Sequence, residues 1–117
     1  MSRATIDEAV RGLRAWVADH DLYVRAAVEL LIEHDVWLRR EEFRRACLRR
    51  SAGDWINWRE ARRAFDAGEL WCASSTEVAV LDFAIALGED RYLFDRMGPA
   101  NAARLVTATA RALGVDR

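Results

Sequence analysis

Lysine is absent from the chain, proline occurs once, at Pro99, and cysteine twice, at Cys47 and Cys72. Two thiols in 117 residues are too sparse for the disulfide framework of a small secreted fold, so both are expected as buried, reduced side chains. Long apolar runs are missing too. Nothing approaches the roughly 18 residues that a membrane span needs, and Met1-Ser2-Arg3-Ala4-Thr5 leads into no signal segment, so the expectation is a cytoplasmic protein with no membrane contact. Phosphate-cradling and nucleophile motifs of the GxxxxGK(S/T), GxGxxG and GxSxG types do not occur. His20 and His34 belong to no zinc-like Cys/His spacing, and Glu33 and Asp35 beside His34 point about 100° apart on a helix, so they do not converge on one ion. The carboxylate pairs Glu41-Glu42 and Glu89-Asp90 read as solvated surface. No catalytic residue, metal or cofactor is expected, and the chain is read as not being an enzyme.

What is present is apolar and charged in proportions that suit a globular domain, with 52% hydrophobic and 32% charged residues and five tryptophans. Arginine supplies all 18 basic side chains and alanine is abundant, a bias that a GC-rich bacterial genome produces without selection for arginine chemistry.

Helical signals run through the sequence with little competition from strand-like alternation. Thr5 and Glu8 have the spacing of a capping box, followed by a stripe of Ile6, Val10, Leu13 and Val17 that ends at Asp19-His20-Asp21. A second helix carries Val24, Ala27, Val28 and Leu31 up to His34-Asp35. A third follows Trp37-Leu38, with Phe43, Ala46 and Cys47 inward, and Ser51-Ala52-Gly53-Asp54 breaks it. Asn57 and Glu60 start a short helix with Ala61 and Phe65 inward and Gly68 just beyond its end. Ser74 and Glu77 form a second capping box, opening a helix with Val78, Leu81, Ala84 and Ile85 on one face and Gly88 at its end. One further turn is expected within 92–97. Pro99 then takes the first position of a closing helix, which carries Ala103, Val106, Ala110 and Leu113 inward and stops at Gly114. The expected fold is an all-α compact bundle of about five to six helices in a single domain over 1–117, with a seam at Ser51-Ala52-Gly53.

Charge is distributed unevenly. Residues 1–35 hold four arginines and seven acids, 36–63 nine and four, and 64–117 five and eight, so a centre of net +5 lies between flanks of −3 each. Trp37, Trp55, Trp58 and Trp71 lie in or beside this basic segment, and interleaved arginines and indoles are enriched at interaction surfaces. The expected function is therefore a helical protein-interaction module that binds another protein or itself, a homodimer being one form. Its expected surface comprises Trp37, Arg40, Arg44, Arg45, Arg49, Trp55, Arg59, Arg62 and Trp71. The alternative is a small DNA-binding regulator using the arginine-rich region 39–63 to contact phosphates. Against it stand a net charge of −1 and arginine pairs, Arg39-Arg40, Arg44-Arg45 and Arg49-Arg50, whose five-residue recurrence scatters them around a helix.

The segment Trp37-Leu38-Arg39-Arg40 to Phe43 resembles that of a set of small uncharacterised actinobacterial proteins. The stretch from Asn57-Trp58 through Ala67-Gly68-Glu69-Leu70-Trp71-Cys72-Ala73-Ser74-Ser75 is similar to their Ala-Gly-Glu-Leu-Pro-Cys-Ser segment, and 101–114 to their closing helix. The likeness covers roughly two-thirds of the chain. It implies a helical fold and a bacterial cytoplasm and brings no activity. Trp71 stands where those proteins tend to have proline, which puts the turn before Ser74 in doubt.

Overall fold

The computed structural model describes residues 2–115. Six α-helices carry the chain: α1 (Arg3–Val17), α2 (Leu22–His34), α3 (Glu41–Cys47), α4 (Trp58–Asp66), α5 (Ser75–Gly88) and α6 (Pro99–Leu113). Single 3-10 turns occupy Trp37–Arg39 and Phe94–Arg96. The all-helical expectation holds, with one addition. The third helix stops at Cys47, before its expected break, and Leu48–Arg49 (β1) pairs antiparallel with Trp55–Ile56 (β2) in the register Leu48 to Ile56 and Arg49 to Trp55. Two-residue strands are too short to show the period-two alternation that marks a strand in a sequence.

Local chemistry accounts for most helix ends. Ser2, not Thr5, caps α1: its Oγ accepts the Thr5 amide at 3.2 Å, so Thr5 lies inside the first turn. The expected box starting at Thr5 therefore sits one turn too late. Asn57 Oδ1 accepts the Glu60 amide, and Ser74 and Glu77 exchange both bonds of a capping box. Asp35 closes α2 in the left-handed region (φ 56°), its carboxylate held by Arg39 Nε at 2.8 Å and kept below its usual pKa by that bond.

The core lies where α2 and α5 run against each other, the most extensive helix pairing in the molecule. Val24, Ala27, Val28 and Leu31 meet Val78, Leu81, Ala84 and Ile85 there, all buried, and the two alanines let the backbones approach. Burying each Leu, Ile or Val side chain contributes about 1.5–3 kcal/mol. Helix α1 covers α2, and α3 and α4 pack on each other and close the other side through Phe43, Cys47, Ala61, Ala64 and Phe65.

Two close approaches tie this body together. The indole of Trp58 lies on the backbone of Gly88, where any Cβ would overlap the ring. At the hairpin tip, Asp54 accepts Arg50 Nε at 2.6 Å and rests on Gly12 of α1, again with no room for a Cβ. Helix α6 is the exception to this packing. None of its residues is buried, so the inward stripe of Ala103, Val106, Ala110 and Leu113 expected from spacing does not join the core. The described residues have a radius of gyration of 14.8 Å, above the about 13 Å expected for this length, and extents of 42 × 32 × 26 Å.

Candidate interaction surfaces

The nine residues expected to form one arginine–tryptophan surface do not share a face. Trp37 is fully buried: its Nε1 donates to the Glu77 carbonyl at 2.9 Å and its ring packs near Phe43, so it is a core residue and the surface expectation is corrected there. Arg40 covers that indole, its guanidinium 5.7 Å from the ring centroid and 3.5 Å from Glu77. Trp55 is half-buried in β2. Trp71 alone among the predicted tryptophans is widely exposed, at 62%, yet its Nε1 donates to the Phe65 carbonyl and its ring leans on Phe65.

The arginines are occupied within the chain. Arg44 donates to the Leu38 carbonyl, Arg45 binds Glu41 at 2.7 Å, and Arg49 donates to the Ala46 carbonyl at 3.0 Å. Arg62 lies 2.9 Å from Asp82, 3.1 Å from Glu89 and 3.6 Å from Asp66. Its partial burial disfavours the charge, but the bonds to Asp82 and Glu89 outweigh that and its pKa is raised. Arg63, which the sequence did not single out, binds both Glu60 and Glu69. Arg59 is exposed and makes no ion pair among the described residues. Of the expected set, Arg40 meets Trp37, Arg49 pairs with Trp55 across the hairpin, and Arg45 and Arg49 share a shallow polar hollow of about 390 Å³ with Glu42, Glu60, Arg63 and Glu69. That hollow mixes both signs of charge.

Nucleophile chemistry finds no support in the buried thiol. Cys47 donates to the Phe43 carbonyl at 3.3 Å, and burial pushes its pKa up, which suppresses the thiolate. Cys72 is exposed, against the expectation that both cysteines are buried. It follows Trp71 in the bend that leads to the Ser74 cap.

The feature that the sequence reading missed is apolar. Between the outer face of α5 and the stripe Ala102, Leu105, Val106, Thr109 and Leu113 of α6 runs an open cleft with two joined hollows of about 500 and 720 Å³. Phe83, Thr109 and Leu113 border both. Thr76, Ala79 and Val80 of α5 and Leu30 of α2 line one end, and Phe94 and Met97 the other. Among the described residues, no acidic or basic side chain lines these two hollows. Val106 and Leu113 are 69% and 72% exposed, far more than a soluble surface usually allows for a contiguous group of such residues. The signal was present in α5, where Ala79, Val80, Phe83, Ala86 and Leu87 leave no polar face opposite Val78, Leu81 and Ile85. A helix apolar all round is one covered on all sides.

No helix among the described residues is long and apolar enough to cross a membrane. Compared with known proteins, the chain matches no family model, no curated protein and no solved structure at a significant level.

Proposed function

We propose that the chain is a helical protein-interaction module without chemistry of its own, and that its docking surface is the apolar cleft between α5 and α6. The observation that carries this reading is the exposure of the α6 stripe. An isolated 15-residue helix is marginal in water, so a face of Leu105, Val106 and Leu113 gains stability only when something covers it. A groove between two helices, uncharged and apolar, suits a third helix laid along it. The arginine–tryptophan surface becomes secondary, since Trp37 is core and every guanidinium of the set except Arg59 is engaged by an acid or a carbonyl of the same chain.

The same engagement weighs against the DNA-binding alternative. Phosphate neutralisation needs free cations, and between 39 and 63 every arginine except Arg59 has a carboxylate or carbonyl partner. Duplex DNA is expected to show no salt-dependent binding at low ionic strength; binding that weakens steeply with salt and with Arg45→Ala would restore that alternative.

A photo-crosslinking side chain placed at Val106 tests the docking reading in cells. Covalent products joining Val106 to another polypeptide chain are expected. Adducts confined to α5 of the same chain would mean that the cleft closes on itself.

A further inference from the structure

We infer that the occupant of the α5–α6 cleft is a second copy of this chain, which closes a four-helix bundle from α5 and α6 of each protomer. The inference rests on the docking reading above and adds the partner.

Three observations favour a copy over a foreign helix. The first is charge. In a two-fold interface each residue lies opposite the same surface of its mate, so any ionisable group near the axis faces its own charge. Among the described residues, the cleft is lined by aliphatic, aromatic, alanine, threonine and methionine side chains, and Arg104 and Arg111, the only ionisable residues of α6, are not among them. Asymmetric partners more commonly use charge to fix register and exclude wrong partners.

The second is size. The exposed apolar side chains that line the cleft, Phe83, Phe94, Leu105, Val106, Leu113 and Val115, present on the order of 600 Å² per chain, at the lower end of what each partner buries in an interface of standard size. A smaller patch would give only a transient contact.

The third is geometry. Helices α5 and α6 have 14 and 15 residues, so at 1.5 Å per residue both are a little over 20 Å long, and the part of α5 from Thr76 to Phe83 borders the cleft. The stripe at 102, 105, 106, 109 and 113 has the three-and-four spacing of a bundle seam, and Ala102 and Ala110 leave space for close approach between helices. The last helix would then acquire in the dimer the burial that it lacks in one chain.

The experiment is light scattering of the purified chain across a dilution series, with amide hydrogen exchange over 99–113 on the same samples. A mass of twice the chain, falling on dilution, is expected, with α6 amides protected in the dimer. Val106→Glu with Leu113→Glu places four carboxylates in the seam and is expected to weaken dimerisation by about a hundredfold or more. Both sites are exposed in the single chain, so the tryptophan fluorescence of the chain is expected to stay native. Trp71→Ala, away from the cleft, is expected to leave the dimer intact. A dimer that persists with both glutamates overturns the inference. A monomer whose α6 exchanges as fast as a free peptide also overturns it, while the cleft stays open for a different partner. A monomer whose α6 is protected overturns the docking reading as well, because the helix then packs within its own chain.

Discussion

Helices α5 and α6 are nearly equal in length and both begin and end on clear signals, yet α5 buries seven residues and α6 none. Pro99 at the first position and Gly114 in the left-handed region (φ 74°) define α6 as firmly as the capping box defines α5. The difference lies in what each meets. Helix α5 faces α2 on one side and carries Gly88 under Trp58 at its end. Helix α6 follows the 3-10 turn Phe94–Arg96, which carries it away from the α2–α5 pair and leaves its apolar stripe across an open cleft. Local sequence makes a helix; packing partners decide whether it is core.

The contrast is broken most strongly by paired leucine truncations. Leu81→Ala, in α5, is expected to cost about 2–5 kcal/mol in urea unfolding, whereas Leu113→Ala in dilute protein is expected to change stability by less than about 0.5 kcal/mol. Equal effects would show that α6 is packed in the single chain. Gly88→Ala comes next, since its methyl group overlaps the Trp58 ring: a loss of about 1–3 kcal/mol is expected, with a shift in tryptophan emission.

Removing the α5 cap with Ser74→Ala is expected to cost about 1 kcal/mol by thermal unfolding. The same cap makes stability depend on acid. The bonds from the Ser74 amide and hydroxyl hold the Glu77 carboxyl below its usual pKa, so its contribution is complete above the unfolded-state value and is lost as pH falls through the folded one. Unfolding midpoints are expected to fall between about pH 5 and pH 3, and Glu77→Gln to flatten that limb. The smallest effect sharpens the comparison from the other side. Gly98 precedes α6 with extended backbone and open space around it, so Gly98→Ser supplies the side-chain cap that α6 lacks; a gain of a few tenths of a kcal/mol and slower exchange of the first α6 amides are expected.

Much of the fold was legible because its determinants are local. Asn57, Ser74, Gly68 and Pro99 each mark a helix end through a bond or a φ value set within four residues, and the stripes of α2 and α5 follow from spacing alone. The cap of α1 was misread because Ser2 and Thr5 both carry hydroxyls three residues apart, and their own 2.8 Å contact shows how closely they compete. The hairpin at Leu48–Ile56 was illegible because it is held by the packing of Asp54 against Gly12, forty-two positions away in the chain.

The candidate surface was legible only in part. An arginine beside a tryptophan looks the same in sequence whether it lies on a partner-facing surface, as a cover over a buried ring (Arg40 on Trp37), or inside a cage of acids (Arg62 among Asp66, Asp82 and Glu89). Those acids come from α4, α5 and the residue after it, so no window of sequence contains them together.

By itself the sequence determined the helices, most of their caps and the two apolar stripes that form the α2–α5 core, because hydrogen bonding and side-chain periodicity act over a few residues. Only the tertiary structure decided that Trp37 is core, that most of the central arginines bond to acids or carbonyls of the same chain, and that the last helix leaves its apolar face uncovered. Burial and charge pairing are set by which distant elements share a boundary, and that depends on the path of the whole chain.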